Sequence, residues 1–165
     1  MEQHEDVVLE ERVRPRAIRD AGGNAHSPRP VTLKTNAQVD DRSAGLRLSG
    51  AWTRLSASGA VGGSYVRGVP AAGRPALTST AVYGKGVEVK GCVGPGGGML
   101  ELWADGTRMA RIDTYRASTG CGVVLSKASF PRGNGLHTVE LRASGQRNAA
   151  AKGAAVAVDA LTALP

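Results

Sequence analysis

Aromatic side chains are scarce: Trp52, Tyr65, Tyr83, Trp103, Tyr115 and Phe130 are the whole set in 165 residues. A core built without them has to be assembled from Val, Leu, Ile and Ala. Cysteine is nearly absent as well. Cys92 and Cys121 stand far apart, with no further Cys or His at metal-ligand spacing, which excludes a zinc cluster of the usual kind. Each sits beside glycine in or near an expected strand. The pair is therefore either two small buried side chains or a disulfide, and spacing does not separate these. No apolar run is long enough to cross a bilayer. The opening MEQHEDVVLEERVRPR has no apolar h-region and starts acidic, so it is not a secretory signal. A cytoplasmic origin is expected, with departure only inside a larger assembly or after lysis.

Basic residues are plentiful but never form a run. The net charge is +7, and residues 41–165 alone hold fifteen basic and seven acidic side chains. That field favours an anionic partner, whether nucleic acid, acidic glycan or acidic protein. With the cations scattered singly and no aromatics interleaved among them, no dedicated nucleic-acid binding is expected.

What the sequence has in excess is glycine, 23 residues, about twice the usual share of roughly 7%. Residues 1–38 carry prolines at 15, 28 and 30 and the stretch AGGNAHSPRP, which argue for an extended N-terminal arm rather than a helix, with VTLKT at 31–35 as a short strand. From residue 39 the texture changes. LRLS (46–49), TRLSA (53–57), SYVR (64–67), LTSTAVY (77–83), VEVKGCV (87–93), MLELWA (99–104), RMARIDTY (108–115), VVLSKASF (123–130), HTVELRAS (137–144) and AVAVDA (155–160) are short, alternating, and bounded by turn residues. Strands at such spacing, with no amphipathic helix between them, define an all-β antiparallel sandwich or barrel.

GPGGG at 94–98 invites a phosphate-binding reading. Such a loop needs a helix N-terminus and, in the Walker form, a Lys followed by Ser or Thr. Here MLELWA follows, so the glycines open a strand instead. In the hairpin beyond, a three-residue loop at Asp105, Gly106 and Thr107 would pair Leu102 with Ala110, Leu100 with Ile112 and Glu101 with Arg111. That register keeps every apolar residue on one face. It also sets Trp103 opposite Met109, on the outer face with Arg111, Asp113 and Tyr115. Trp103, Met109, Arg111 and Tyr115 therefore form a candidate contact surface outside the core, unless a loop or the arm covers them.

No catalytic, metal or cofactor site is expected. His137 is read as a strand-start histidine bonded to a turn, since no nucleophile and orienting acid accompany it in the sequence. Asp113, Asp159, Glu88 and Glu140 are isolated carboxylates. His4 and His26 fall in the arm and carry no signal.

The succession LRLSGAWTRL, GGSY, GKGVEVKGCVGPGGGMLELWADGTRMARIDTY, GLHTVELRASGQRN and GAAVAVDALTAL resembles the carbohydrate-binding-like jelly-roll modules, of galactose-binding-like type, attached to many bacterial surface and phage proteins. The matching pieces are Ser49, Gly50 and Trp52; Gly94 to Gly98; Asp105 and Gly106; Gly135, His137, Thr138 and Val139; and Val158, Asp159 and Ala160. The resemblance implies a jelly-roll β-sandwich over 39–165 and a binding or structural role without catalysis. One expectation is a phage virion surface protein, in the capsid or tail, anchored by its arm to other virion proteins or to copies of itself. Val7, Val8, Leu9, Arg12, Val13 and Arg14 would be the anchoring residues, adding to a neighbour's sheet edge. The other is a carbohydrate-binding or adhesion module of an actinobacterial surface or secreted protein, with a glycan as partner. Neither calls for a membrane.

Overall fold

The computed structural model describes residues 37–71 and 76–165, together with two short strands nearer the N-terminus. Those two, β1 (Ile18–Arg19) and β2 (Ala25–His26), pair antiparallel, Ile18 opposite His26. A short ladder thus lies in the segment expected to be an extended arm. The anchoring candidates Val7, Val8, Leu9, Arg12, Val13 and Arg14, and VTLKT, lie outside the described residues.

Residues from Asn36 onward form a separate compact unit. It is an antiparallel β-sandwich of two sheets. One contains β4 (Arg47–Ser49), β7 (Ala76–Gly84), β9 (Gly98–Ala104), β10 (Thr107–Asp113) and β12 (Gly135–Arg147), in the order β10-β9-β12-β7-β4. The other contains β5 (Trp52–Ser56), β6 (Ser64–Gly68), β8 (Gly86–Val93), β11 (Gly120–Ser129) and β13 (Val156–Leu164), ordered β11-β8-β13-β6-β5. A further strand, β3 (Gln38–Asp40), pairs with the second half of β13, while β6 pairs with the first half.

Alternation produces this arrangement. Along β7 and β9 every second side chain is buried, and the inward set (Leu100, Leu102, Val139, Leu141, Val82) meets Val66, Val87, Val89, Val158 and Leu161 of the other sheet. Each fully buried Leu or Val removed from water contributes about 1.5–3 kcal/mol. The core is aliphatic, as the shortage of aromatics required; Phe130 is its single aromatic among the described residues.

GPGGG is the crossing between the sheets, from the end of β8 to the start of β9. Three of its four amides are already engaged. Gly94 N–H donates to Thr114 O (3.2 Å), Gly97 to Gly94 O (3.0 Å) and Gly98 to Ala155 O (2.7 Å). A Cβ on Gly97 would stand 2.3 Å from Thr114 O, and one on Gly98 2.3 Å from Ala154 O. These glycines permit backbone-to-backbone contact, and the phosphate reading fails on the donors as well as on the missing helix.

The hairpin register is the expected one for Leu102–Ala110, Glu101–Arg111 and Leu100–Ile112, but the loop is not. Thr107 pairs with Ala104, leaving a two-residue Asp105-Gly106 turn, and a bulge between Arg108 and Ala110 absorbs the extra residue. Asp105 (φ 48°) and Gly106 (φ 79°) both take the left-handed conformation that a type I′ turn demands. The bulge restores the buried face that a plain two-residue turn would have lost. In consequence Trp103 faces Arg108, whereas Met109 sits in the bulge and packs against the core.

Candidate functional site

Cys92 and Cys121 form a disulfide, with Cα atoms 4.0 Å apart. β11 pairs with β8 through a register break between Gly120 and Val123, and Cys121 lies in that break. The bond therefore staples a bulge to its neighbour strand and leaves the sulfurs off the core side.

Beside it lies a cleft of about 160 Å³ in the outer face of the β8-β13-β6 region. β6 supplies its polar groups. In SYVRG, Ser64 turns inward to donate to the Asp41 carboxylate (3.0 Å) and Val66 enters the core, which leaves Tyr65 and Arg67 facing out. Arg67 lies in register with Ala157 on β13, and Ala157 with Cys92 on β8. The floor is thus Ala157, Ala155 and the half-cystine, side chains too small to fill the space. GPGGG and Thr119 form the opposite wall. Neither the Tyr65 hydroxyl nor the Arg67 guanidinium has a side-chain partner among the described residues.

The candidate contact surface on the other sheet is differently disposed. Trp103 and Arg111 do share its outer face. The indole Nε1–H donates to Glu101 (3.0 Å), and the Arg142 guanidinium lies 4.1 Å from the ring centroid. Arg108 and Glu140 complete the set, on Glu101 and Arg142 respectively. Arg111 donates to Gln146. Tyr115 is half-buried beside Gly94, and Met109 belongs to the core boundary. The four residues do not form one patch.

His137 is the turn-bonded histidine expected. It is 3% exposed, with Nδ1 2.7 Å from Asp105 Oδ2, Nε2 3.0 Å from Gly133 O, and its ring 4.1 Å from that of Phe130. Asp105 also accepts Thr138 N–H (2.9 Å). The "DG" and "HTV" pieces of the sequence are therefore one clamp joining two turns. The His137 hydrogen bond, helped by the Thr138 amide, holds the Asp105 carboxyl below the usual carboxylate range.

Asp159 is the unusual acid. It is fully buried, placed where β13 passes from β6 to β3 and where pairing with β8 is interrupted. Both its oxygens accept the Val61 amide (3.0 Å), and burial, reinforced by Asp41, pushes its pKa up. Asp113 is lowered by the Asn148 hydrogen bond and Glu88 by Lys127. Among the described residues no His, Asp or Glu lines the cleft, and no three such groups converge as a metal site. The cleft can stack and hydrogen-bond; acid–base work on a glycosidic bond takes a pair of carboxyl groups. None of the described helices is long and apolar enough to span a membrane.

The fold defines a structural class, the two-sheet antiparallel β-sandwich. Over 84% of the chain it is similar to xanthan lyase from Paenibacillus (TM-score 0.59, 14% identity), and over 86% to the exo-β-1,3-galactanase from Phanerochaete chrysosporium solved with β-1,3-galactotriose (TM-score 0.51, 17% identity). The chain spans 14% and 35% of those proteins' lengths. At these identities the similarity is one of fold. No protein-family model and no curated protein sequence matches the chain.

Proposed function

We propose that the chain is a non-catalytic carbohydrate-binding module that seats one sugar unit in the cleft between Tyr65, Arg67 and GPGGG. The observation that carries this reading is the pairing of an aromatic ring with a guanidinium that has no partner among the described residues, over a floor of two alanines. A flat ring for the apolar face of a sugar, and a few convergent polar groups to fix its orientation, are what a small-ligand site needs. The volume is below the roughly 300 Å³ of drug-sized sites, so it suits a single residue of a glycan chain. The neighbours' size relation supports a role as an accessory module within a larger protein. The Cys92–Cys121 bond supports an oxidising location such as the cell exterior.

Trp103 is the less suited platform, because Arg142 already covers its ring and a sugar would have to displace that contact. The arm-anchored virion reading depends on residues 1–38 and draws no support from the neighbours. The test is a panel of soluble polysaccharides in affinity electrophoresis, comparing the native chain with Tyr65→Ala. Retardation by at least one glycan, lost in the variant, is expected. Equal retardation of both proteins would reject the cleft.

A further inference from the structure

We infer that the sugar taken by this cleft is acidic, its charge supplied by a carboxylate or a sulfate, and that Arg67 is the residue that selects it; this rests on the carbohydrate-binding reading above. Three observations combine. Arg67 projects into the cleft beside Tyr65, and no carboxylate lines the space with it. The carboxylates of the sandwich are held elsewhere by internal donors: Asp41 by Arg54 and Ser64, Glu88 by Lys127, Glu101 by Arg108, Glu140 by Arg142, Asp159 by the Val61 amide. Among the described residues the Arg67 charge is therefore uncompensated locally.

The glycine wall, in turn, is tied by its carbonyls to two further basic residues. Pro95 O accepts the Lys152 amide (2.7 Å) and Gly94 O the Arg116 amide (3.1 Å). Both residues are exposed, and the Arg116 guanidinium turns back onto the Asp113 and Tyr115 carbonyls. An uncharged sugar would leave the Arg67 guanidinium only weakly used. A planar anionic group meets its forked donors in the bidentate geometry for which arginine, unlike lysine, is pre-shaped.

The test is calorimetry on the full chain with three probes: an oligogalacturonate, its methyl ester, and a sulfated galactan oligosaccharide. The ester removes the charge while leaving the ring unchanged. The oligogalacturonate, the sulfated probe or both should bind at least about tenfold more tightly than the ester, as expected for a hydrogen-bonded charge. Binding of the charged probe should weaken with added salt. Arg67→Gln should erase the difference between acid and ester, Arg67→Lys should keep part of it, and Arg47→Ala, on the other sheet with the same loss of charge, should keep all of it. Circular dichroism melting checks that each variant is folded.

Equal affinity for acid and ester, with Tyr65→Ala still abolishing both, would overturn the acidic specificity and leave the cleft reading intact. Discrimination unaltered in Arg67→Gln would overturn the role of Arg67. Displacement of a bound acidic probe by single-stranded DNA at equal concentration would mark a general polyanion surface and also defeat the proposal. Failure of every saccharide to bind would defeat the underlying reading itself.

Discussion

Removing the Cys92–Cys121 bond should cost the sandwich a large part of its stability. The bond closes a loop of 29 residues, and constraining the unfolded chain over that length is worth about 3.5 kcal/mol in the chain-entropy account. Net stabilities of domains this size are about 5–15 kcal/mol, so a reduced chain would keep a fraction of its margin. The assay is urea unfolding followed by circular dichroism, on native protein, on protein reduced and alkylated, and on the Cys92→Ala/Cys121→Ala pair. The midpoint should fall and the slope rise modestly, because the folded surface is unchanged while the unfolded chain, freed of its cross-link, exposes more surface. Mass spectrometry of the non-reduced protein should show no alkylatable thiol. Two free thiols in protein from an oxidising compartment, or a loss below about 1 kcal/mol on reduction, would refute the reasoning.

The glycines of the sheet crossing make a paired test: Gly98→Ala should destabilise by a few kcal/mol because its Cβ would meet Ala154 O at 2.3 Å, whereas Gly96→Ala, with nothing within 4 Å, should leave the unfolding midpoint nearly unmoved. For the Asp105–His137 clamp, NMR titration should find the Asp105 carboxyl ionising below the ordinary aspartate range, and His137→Gln should move it back up. Asp159 should act in the opposite sense. With its folded pKa raised, the native state keeps a proton that the unfolded chain releases, so stability falls as pH rises from the ordinary aspartate pKa, about 3.9, through the raised value, and is level above it. Asp159→Asn, which keeps one acceptor for Val61, should abolish that fall; parallel pH–stability profiles for the two proteins would refute it.

Much of this architecture was legible because alternation writes register directly. Leu100, Leu102 and Ile112 allow one pairing that buries all three, and the structure has it. The turn was not legible, because a three-residue loop and a two-residue turn followed by a bulge give the same register beyond Ala110. The left-handed tolerance of Asp-Gly was the available signal for the second. The disulfide escaped because it depends on β8 and β11 being neighbours, and spacing along the chain does not say which strands pair. The cleft escaped for a subtler reason. SYVR looks like any half-buried strand, and its outward Tyr65 and Arg67 line a cleft only because β13 offers Ala155 and Ala157 beside them. Trp103 drew attention by its chemistry, yet Glu101 and Arg142 had already taken its edge and face.

Asp159 is the one charged residue of β13, and it stands where that strand changes partners. The same holds for His137 and Asp105, separated in sequence and joined only when two turns meet. In each case the local pattern was readable and the contact across the sheet was not.

The direct measurement of cleft binding is chemical-shift mapping of the isotopically labelled chain during titration with a glycan that retards it in electrophoresis. The largest amide shifts should fall on Tyr65, Arg67, Gly96, Thr119 and Ala157. Shifts centred on Trp103, Arg111 and Arg142 instead, with the cleft silent, would contradict cleft binding.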